Sequence, residues 1–206
     1  MSPDEFIPVA EECGLIDELG EWALLEACQF NQRLIDAGFK PLRISANVST
    51  AQLRGDRLIK AIEALPQKTS MPLKYLEIEL TESVLMKNFD HNLALINRMK
   101  ELDIHIALDD FGTGFSSLNL LCTIPIDTLK IDRLFILDIQ ESRANQAVVE
   151  AISECARKLN IHICTEGVEN REMIVFLKRY PVYSYQGYYY SKPIPINNFK
   201  SKYKVS

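Results

Sequence analysis

From residue 43 onward the chain changes periodicity in a repeating cycle, with short runs that alternate apolar and polar residues separated by longer runs at helical spacing. Strand and helix in regular alternation build a parallel sheet through right-handed crossovers, and this constrains the fold more than any other feature. Strands are expected over 43–48, 73–80, from 104 into the acidic pair at 109–110, over 128–132, 161–166 and near 182–186. Helices are expected to about residue 65 after the first strand, then over 90–102, 142–159 and 171–179. Upstream, Ser2-Pro3-Asp4-Glu5 reads as a helix start, so the chain is expected to open on a helix with nothing before it. A second helix is expected over 17–38, with Leu19, Trp22, Ala23, Phe30 and Leu34 near helical spacing, Trp22 in the core and Gly38 as the stop.

The strand faces carry the next step. Ile44, Ala46 and Val48 oppose Ser45 and Asn47, and Leu76, Ile78 and Leu80 oppose Glu77 and Glu79. Ile104, Ile106 and Leu108 oppose His105, Ala107 and Asp109; Leu129 and Ile131 oppose Lys130; Ile161 and Ile163 oppose His162, Cys164 and Glu166. An open parallel sheet has two apolar faces covered by helices, so recurring polar positions need a reason. A barrel supplies one, because its inner face is lined by strand side chains and its site lies at the strands' C-terminal ends. Asn47, Glu79, Asp109, Asp110, Lys130, Glu166 and Gln186 are then expected at one mouth, where each taken singly could equally be a solvated loop residue.

Oxygen donors without Cys or His suit hard cations, Mg²⁺ or Mn²⁺, and four carboxylates with an amide suffice for a two-metal centre of the kind that serves phosphoryl displacement. Lys130 is placed to position a water or to screen charge. The acidic pair runs into Gly112-Thr113-Gly114 and a Ser-Ser that could cap a helix; an ordinary βα loop is the alternative reading of that stretch. His105 and His162 are expected as satisfied interior residues and His91 at the surface. Net charge is −5 with dispersed basic residues, which excludes a basic stripe for a nucleic-acid polymer. Five cysteines without a CxxC pair point to a reducing compartment rather than a thiolate metal site, and with no apolar run long enough for a membrane span the chain is expected to be cytoplasmic. The Asn47-Val48-Ser49 sequon is then accidental.

SPDEFIPVAEECGLI, SANVS, ELTES, ALDDFGTGFSSL, LKIDRLFI, TEGVE and QGYYYSKPIP together resemble the EAL domain of bacterial cyclic di-GMP phosphodiesterases over nearly the whole chain. The resemblance implies a TIM-like (β/α) barrel that binds two Mg²⁺ or Mn²⁺ ions and hydrolyses cyclic di-GMP to linear pGpG. By motif it implies Asn47, Glu79, Asp109, Asp110 and Glu166 as metal ligands and Lys130 as the catalytic lysine. Glu169 and Gln186 resemble residues that support the ligands or position water, and Asp110, Lys130 and Gln186 lie where substrate would bind. Glu82 resembles the glutamate that holds the DDFGTG loop, and that loop with the following helix is where the family dimerises.

No Glu-Ala-Leu stands ahead of the first matched motif, where the family carries the segment whose glutamate binds metal, and six strands are visible where a closed barrel needs eight. The expectation is therefore a single EAL-type domain over 1–206, incomplete at its N-terminus relative to the family. Thr165, Phe115 and Tyr183-Ser184 stand where the family more often has Ala, Tyr and Cys-Asp. A non-catalytic cyclic di-GMP-binding or protein-interaction module is the alternative function.

Overall fold

The structure, a computed structural model, describes residues 2–112 and 118–202. Contacts divide the chain into two units, Met1–Ile106 and Ala107–Ser206, taken here in turn.

In the first unit, α1 (Pro3–Glu12) starts as its sequence dictates, with Pro3 at the first helical position and the Ser2 amide donating to Glu5 Oε2 at 3.0 Å. The next helix, α2 (Ile16–Asp36), buries Ile16, Leu24, Cys28, Asn31 and Leu34. Trp22 is not on that stripe. It lies roughly 160–200° around the helix from Leu24 and is 59 % exposed, which corrects its reading as core. A polar residue takes a core place instead: Asn31 Nδ2 donates to the Leu42 carbonyl at 2.7 Å, and Asn31 Oδ1 accepts from the Leu42 amide at 3.4 Å. Asn31 thus fixes the chain entering the first strand. Asn31→Ala removes both side-chain partners of the Leu42 backbone from a buried position and should destabilise the fold by about 2 kcal/mol, read as a lowered urea midpoint.

Strand β1 (Ile44–Asn47) pairs in parallel with β2 (Leu76–Thr81), setting Ser45 beside Glu77 and Asn47 beside Glu79. Between them α3 (Arg57–Thr69) runs past the expected end at residue 65, because Pro66 falls in its last turn and Ser70 caps it in the left-handed region. Residues 73–75 form a 3₁₀ turn rather than the start of β2. Leu76, Ile78 and Leu80 are fully buried, and Glu77 and Glu79 on the opposite face are buried as well. Two helices follow, α4 (Glu82–Met86), capped by Thr81, and α5 (Phe89–Glu101). His105 is half-buried, with Nε2 3.1 Å from Arg43 Nη2.

Strand β3 (His105–Phe111) begins at the end of the first unit and continues into the second, where it pairs in parallel with β4 (Thr128–Ile131). Helix α6 (Leu118–Thr123) lies between them. The remainder alternates α7 (Arg133–Ile136), α8 (Arg143–Lys158), β5 (His162–Thr165), α9 (Arg171–Leu177), β6 (Ser184–Tyr185) and α10 (Ile196–Lys202). Parallel ladders join β4 to β5 and β5 to β6. Leu108, Phe111, Leu129, Ile131 and Ile163 are buried, as are Val149, Ile152 and Ala156 of α8, which packs on β5. His162 is exposed, not interior, and stacks on the Tyr183 ring at a centroid distance of 4.2 Å. All five cysteines are free thiols.

Candidate active site

The acidic pair is built by an irregularity in β3. Leu108 pairs with Leu129 and Phe111 with Ile131, so Asp109 and Asp110 together stand opposite Lys130 alone. This is a β-bulge. In a regular strand adjacent side chains point to opposite faces, and only one of the two aspartates could face Lys130. Asp110 takes a left-handed conformation, φ 54°, which Asp tolerates better than most residues, and its amide donates to Asp109 Oδ1 at 3.0 Å. Gly112 follows at φ 101°, where an added Cβ would lie 2.5 Å from the Phe135 ring. Phe111 thus returns to the core while both carboxylates stay at the strand end. Residues Thr113–Ser117, which carry the rest of the DDFGTG loop and the expected Ser-Ser cap, lie outside the described residues.

Two ladders then set the partners. Lys130 pairs with Cys164 in register, and the Glu166 amide donates to the Ile131 carbonyl at 3.0 Å, continuing β5 beyond its last strand residue. The buried Lys130 ammonium donates to Asp109 Oδ2 at 3.0 Å and to Glu166 Oε1 at 2.8 Å. Carboxylate oxygens of Asp109, Asp110 and Glu166 all lie within 4.8 Å of one another. Burial pushes the Asp110 carboxyl above its ordinary range, the charges of Asp109 and Asp132 push the same way, and Lys130 opposes them. Three carboxylates around a buried cation form a site that fits a hard divalent ion by donor chemistry, since every ligand is oxygen.

Gly167 makes the turn after Glu166 at φ 70°, with its α-carbon so near Arg133 that an added Cβ would meet the Arg133 side chain. Glu166, Glu169 and Gln186 line one cavity of about 450 Å³ together with Arg133, Tyr188 and Lys192. Gln186 is held there by its amide on the Thr165 carbonyl at 2.8 Å and its carbonyl on the Val168 amide at 3.0 Å. Arg133, Tyr188 and Lys192 were not singled out by the sequence reading. Arg133 carried a signal nonetheless, standing just past the C-terminal end of β4, where barrel folds place their site residues. In the first unit, Asn47 and Glu79 lie beside each other at the ends of β1 and β2, with the Val48 amide on the Glu79 carbonyl at 3.1 Å. Glu82 occupies the first turn of α4.

Parallel strands joined by helices, with carboxylates and a buried lysine clustered at the strands' C-terminal ends, define an α/β protein with an acidic polar centre. The EAL domain model matches residues 1–193. The chain belongs to the EAL domain family. It is 37 % identical over 196 residues to the cyclic di-GMP phosphodiesterase NbdA of Pseudomonas aeruginosa, covering 95 % of this chain and 25 % of NbdA. It is 36 % identical over 202 residues to the cyclic di-GMP phosphodiesterase PdeR of Escherichia coli, covering 98 % of this chain and 30 % of PdeR. The chain therefore spans less than a third of the length of these relatives. A solved structure of the PaMucR phosphodiesterase in a c-di-GMP complex superimposes with a TM-score of 0.91 at 35 % identity, covering 97 % of this chain and 81 % of that one. The fold is the TIM-like α/β fold of that family, with six strands among the described residues. No helix among the described residues is long and apolar enough to cross a membrane.

Proposed function

We propose that this chain is the EAL domain of a cytoplasmic cyclic di-GMP phosphodiesterase that hydrolyses cyclic di-GMP to pGpG. The observation that carries this reading is the Lys130 ammonium held between Asp109 and Glu166 next to Asp110. Asp109, Asp110 and Glu166, with Asn47 and Glu79 as further ligands, are the residues that would hold Mg²⁺ or Mn²⁺. Such an ion supplies Lewis acidity toward a phosphoryl oxygen and lowers the pKa of bound water.

The chain's own residues do the rest. Asp109 is fixed at both oxygens, Oδ1 by the Asp110 amide and Oδ2 by Lys130, so its orientation is set before substrate arrives. Lys130 brings positive charge to a wall that otherwise repels phosphate, and it holds Glu166 in place. Glu169 and Gln186 face the same cavity and are assigned to water positioning, Glu82 to support of the DDFGTG loop, and that loop with α6 to a homodimer contact. In hydrolysis a water oxygen bonds to phosphorus as one ester P–O bond breaks, and the proton lost by the water is matched by one gained at the leaving oxygen.

The test is release of pGpG from cyclic di-GMP by the purified protein, with Mn²⁺ or Mg²⁺ and with EDTA. Metal-dependent turnover that EDTA abolishes is the expected result. Cyclic di-GMP binding with no turnover under any metal would replace the phosphodiesterase with the binding-module reading.

A further inference from the structure

A second concavity, in the first unit, has the opposite charge. It has a volume of about 380 Å³ and is lined by Arg54, Lys87, His91, Thr50 and Asn88 among others, with no carboxylate in its wall. Acids outnumber bases 28 to 23 in this chain, so a recess whose charged wall groups are all basic is not the background composition of its surface. Nor are the cations neutralised locally. Arg54 forms no ion pair among the described residues, and Lys87 reaches only the Thr50 hydroxyl, at 3.5 Å. Elsewhere in the unit exposed arginines do find carboxylates, as Arg57 does with Glu21 and Arg98 with Asp56.

The recess is also built. His91 Nε2 lies 2.9 Å from the Leu53 carbonyl, an acceptor only, so Nε2 carries the proton and the ring ties α5 to the loop that presents Arg54. Asn92, buried behind it, donates to the carbonyls of Val84 and Leu85 and fixes the start of α5 against α4, from whose end Lys87 projects. Asn88 stands at the N-cap of α5, yet its side chain makes no capping hydrogen bond. One guanidinium, one ammonium, one amide and one hydroxyl thus border a single recess. A planar guanidinium fork with a point-charge ammonium is the donor pair that matches a dianionic tetrahedral phosphoryl group.

We propose that this recess binds a phosphate group, free or as a phosphomonoester, at a site separate from the carboxylate centre. The inference goes beyond the proposed hydrolase function and does not rest on it. Calorimetric titration of the chain with inorganic phosphate, in EDTA and constant chloride, should show saturable binding. In EDTA the carboxylate centre repels anions, which leaves the recess as the site measured. Arg54→Gln combined with Lys87→Gln should weaken binding at least about tenfold, the loss expected for removing charge-assisted hydrogen bonds. Neither residue belongs to the carboxylate centre, and both are exposed, so the thermal midpoint should not move. Glycerol phosphate run in parallel distinguishes the sources: tighter binding than phosphate identifies an esterified ligand, and equal or weaker binding identifies the free oxyanion. No saturable phosphate binding by the parent chain, or undiminished binding by a folded double variant, overturns the proposal.

Discussion

Lys130→Met lowers the stability of the metal-free chain by about 3 kcal/mol, the scale at which breaking a buried ion pair leaves its partners uncompensated. Methionine keeps most of the lysine stem, so packing changes little and the lost charge dominates. The Lys130 side chain is 5 % exposed, while those of Asp109 and Glu166 are 12 % and 18 % exposed, so water relieves part of the penalty and the low end of the range applies. With the ammonium gone, the charge that opposes the upward shift of Asp110 is lost, and its folded-state pKa rises further. A carboxyl whose folded pKa lies above its unfolded value contributes stability at low pH that disappears as pH rises through the folded pKa. The loss relative to the parent chain is therefore larger at pH 8 than at pH 5. Mn²⁺ restores part of it, because a cation that binds only the folded chain stabilises by mass action. Urea unfolding in EDTA and in Mn²⁺, at both pH values, measures each term. An unchanged midpoint in EDTA would mean that Lys130 does not hold the carboxylates.

The alternation of faces made much of this site legible in the sequence. Asp109, Lys130 and Glu166 lie on polar strand faces at period two, and a ladder in register carries Lys130 between the other two. Asp110 was legible only by its neighbour and its resemblance, since strict alternation turns it away. The bulge that brings it back depends on one left-handed residue, and Asp in a strand pattern does not announce that. On α2 the failure was one of phase. Trp22 is the largest apolar side chain of that helix, but the buried stripe runs through Asn31, whose place in the core follows from a backbone partner eleven residues downstream rather than from hydropathy. Elements as short as α4 and α7 gave too few residues for periodicity to register. The recess bordered by Arg54 and Lys87 escaped for another reason: it joins residues 33 positions apart that share no motif, and only the packing of α4, α5 and the loop before α3 brings them together.

Asp110→Asn should abolish hydrolysis while leaving the fold intact, and the two halves of that expectation have separate causes. A carboxylate that organises a cation supplies several kcal/mol of charge stabilisation, and its replacement by an amide should cost at least roughly a hundredfold in kcat/KM, about 3 kcal/mol. Stability behaves differently. Burial and the charges of Asp109 and Asp132 raise the Asp110 carboxyl, so its ionised form is disfavoured in the folded state. The stability it contributes is present in acid and lost as pH rises through the raised folded pKa, so at neutral pH the charge opposes folding. Removing it should leave the metal-free thermal midpoint unchanged or slightly raised. The backbone sets a further condition, because position 110 needs φ 54° and Asn occupies that region about as readily as Asp. Asp110→Gly satisfies it too, whereas Asp110→Ala adds left-handed strain to the lost charge. The thermal midpoints should therefore place Asn and Gly together and Ala below them, with all three variants inactive in pGpG release. Activity retained by Asp110→Asn would show that the centre does not act through this carboxylate, and an Ala variant as stable as the Gly variant would show that the bulge does not hold residue 110 in the left-handed region.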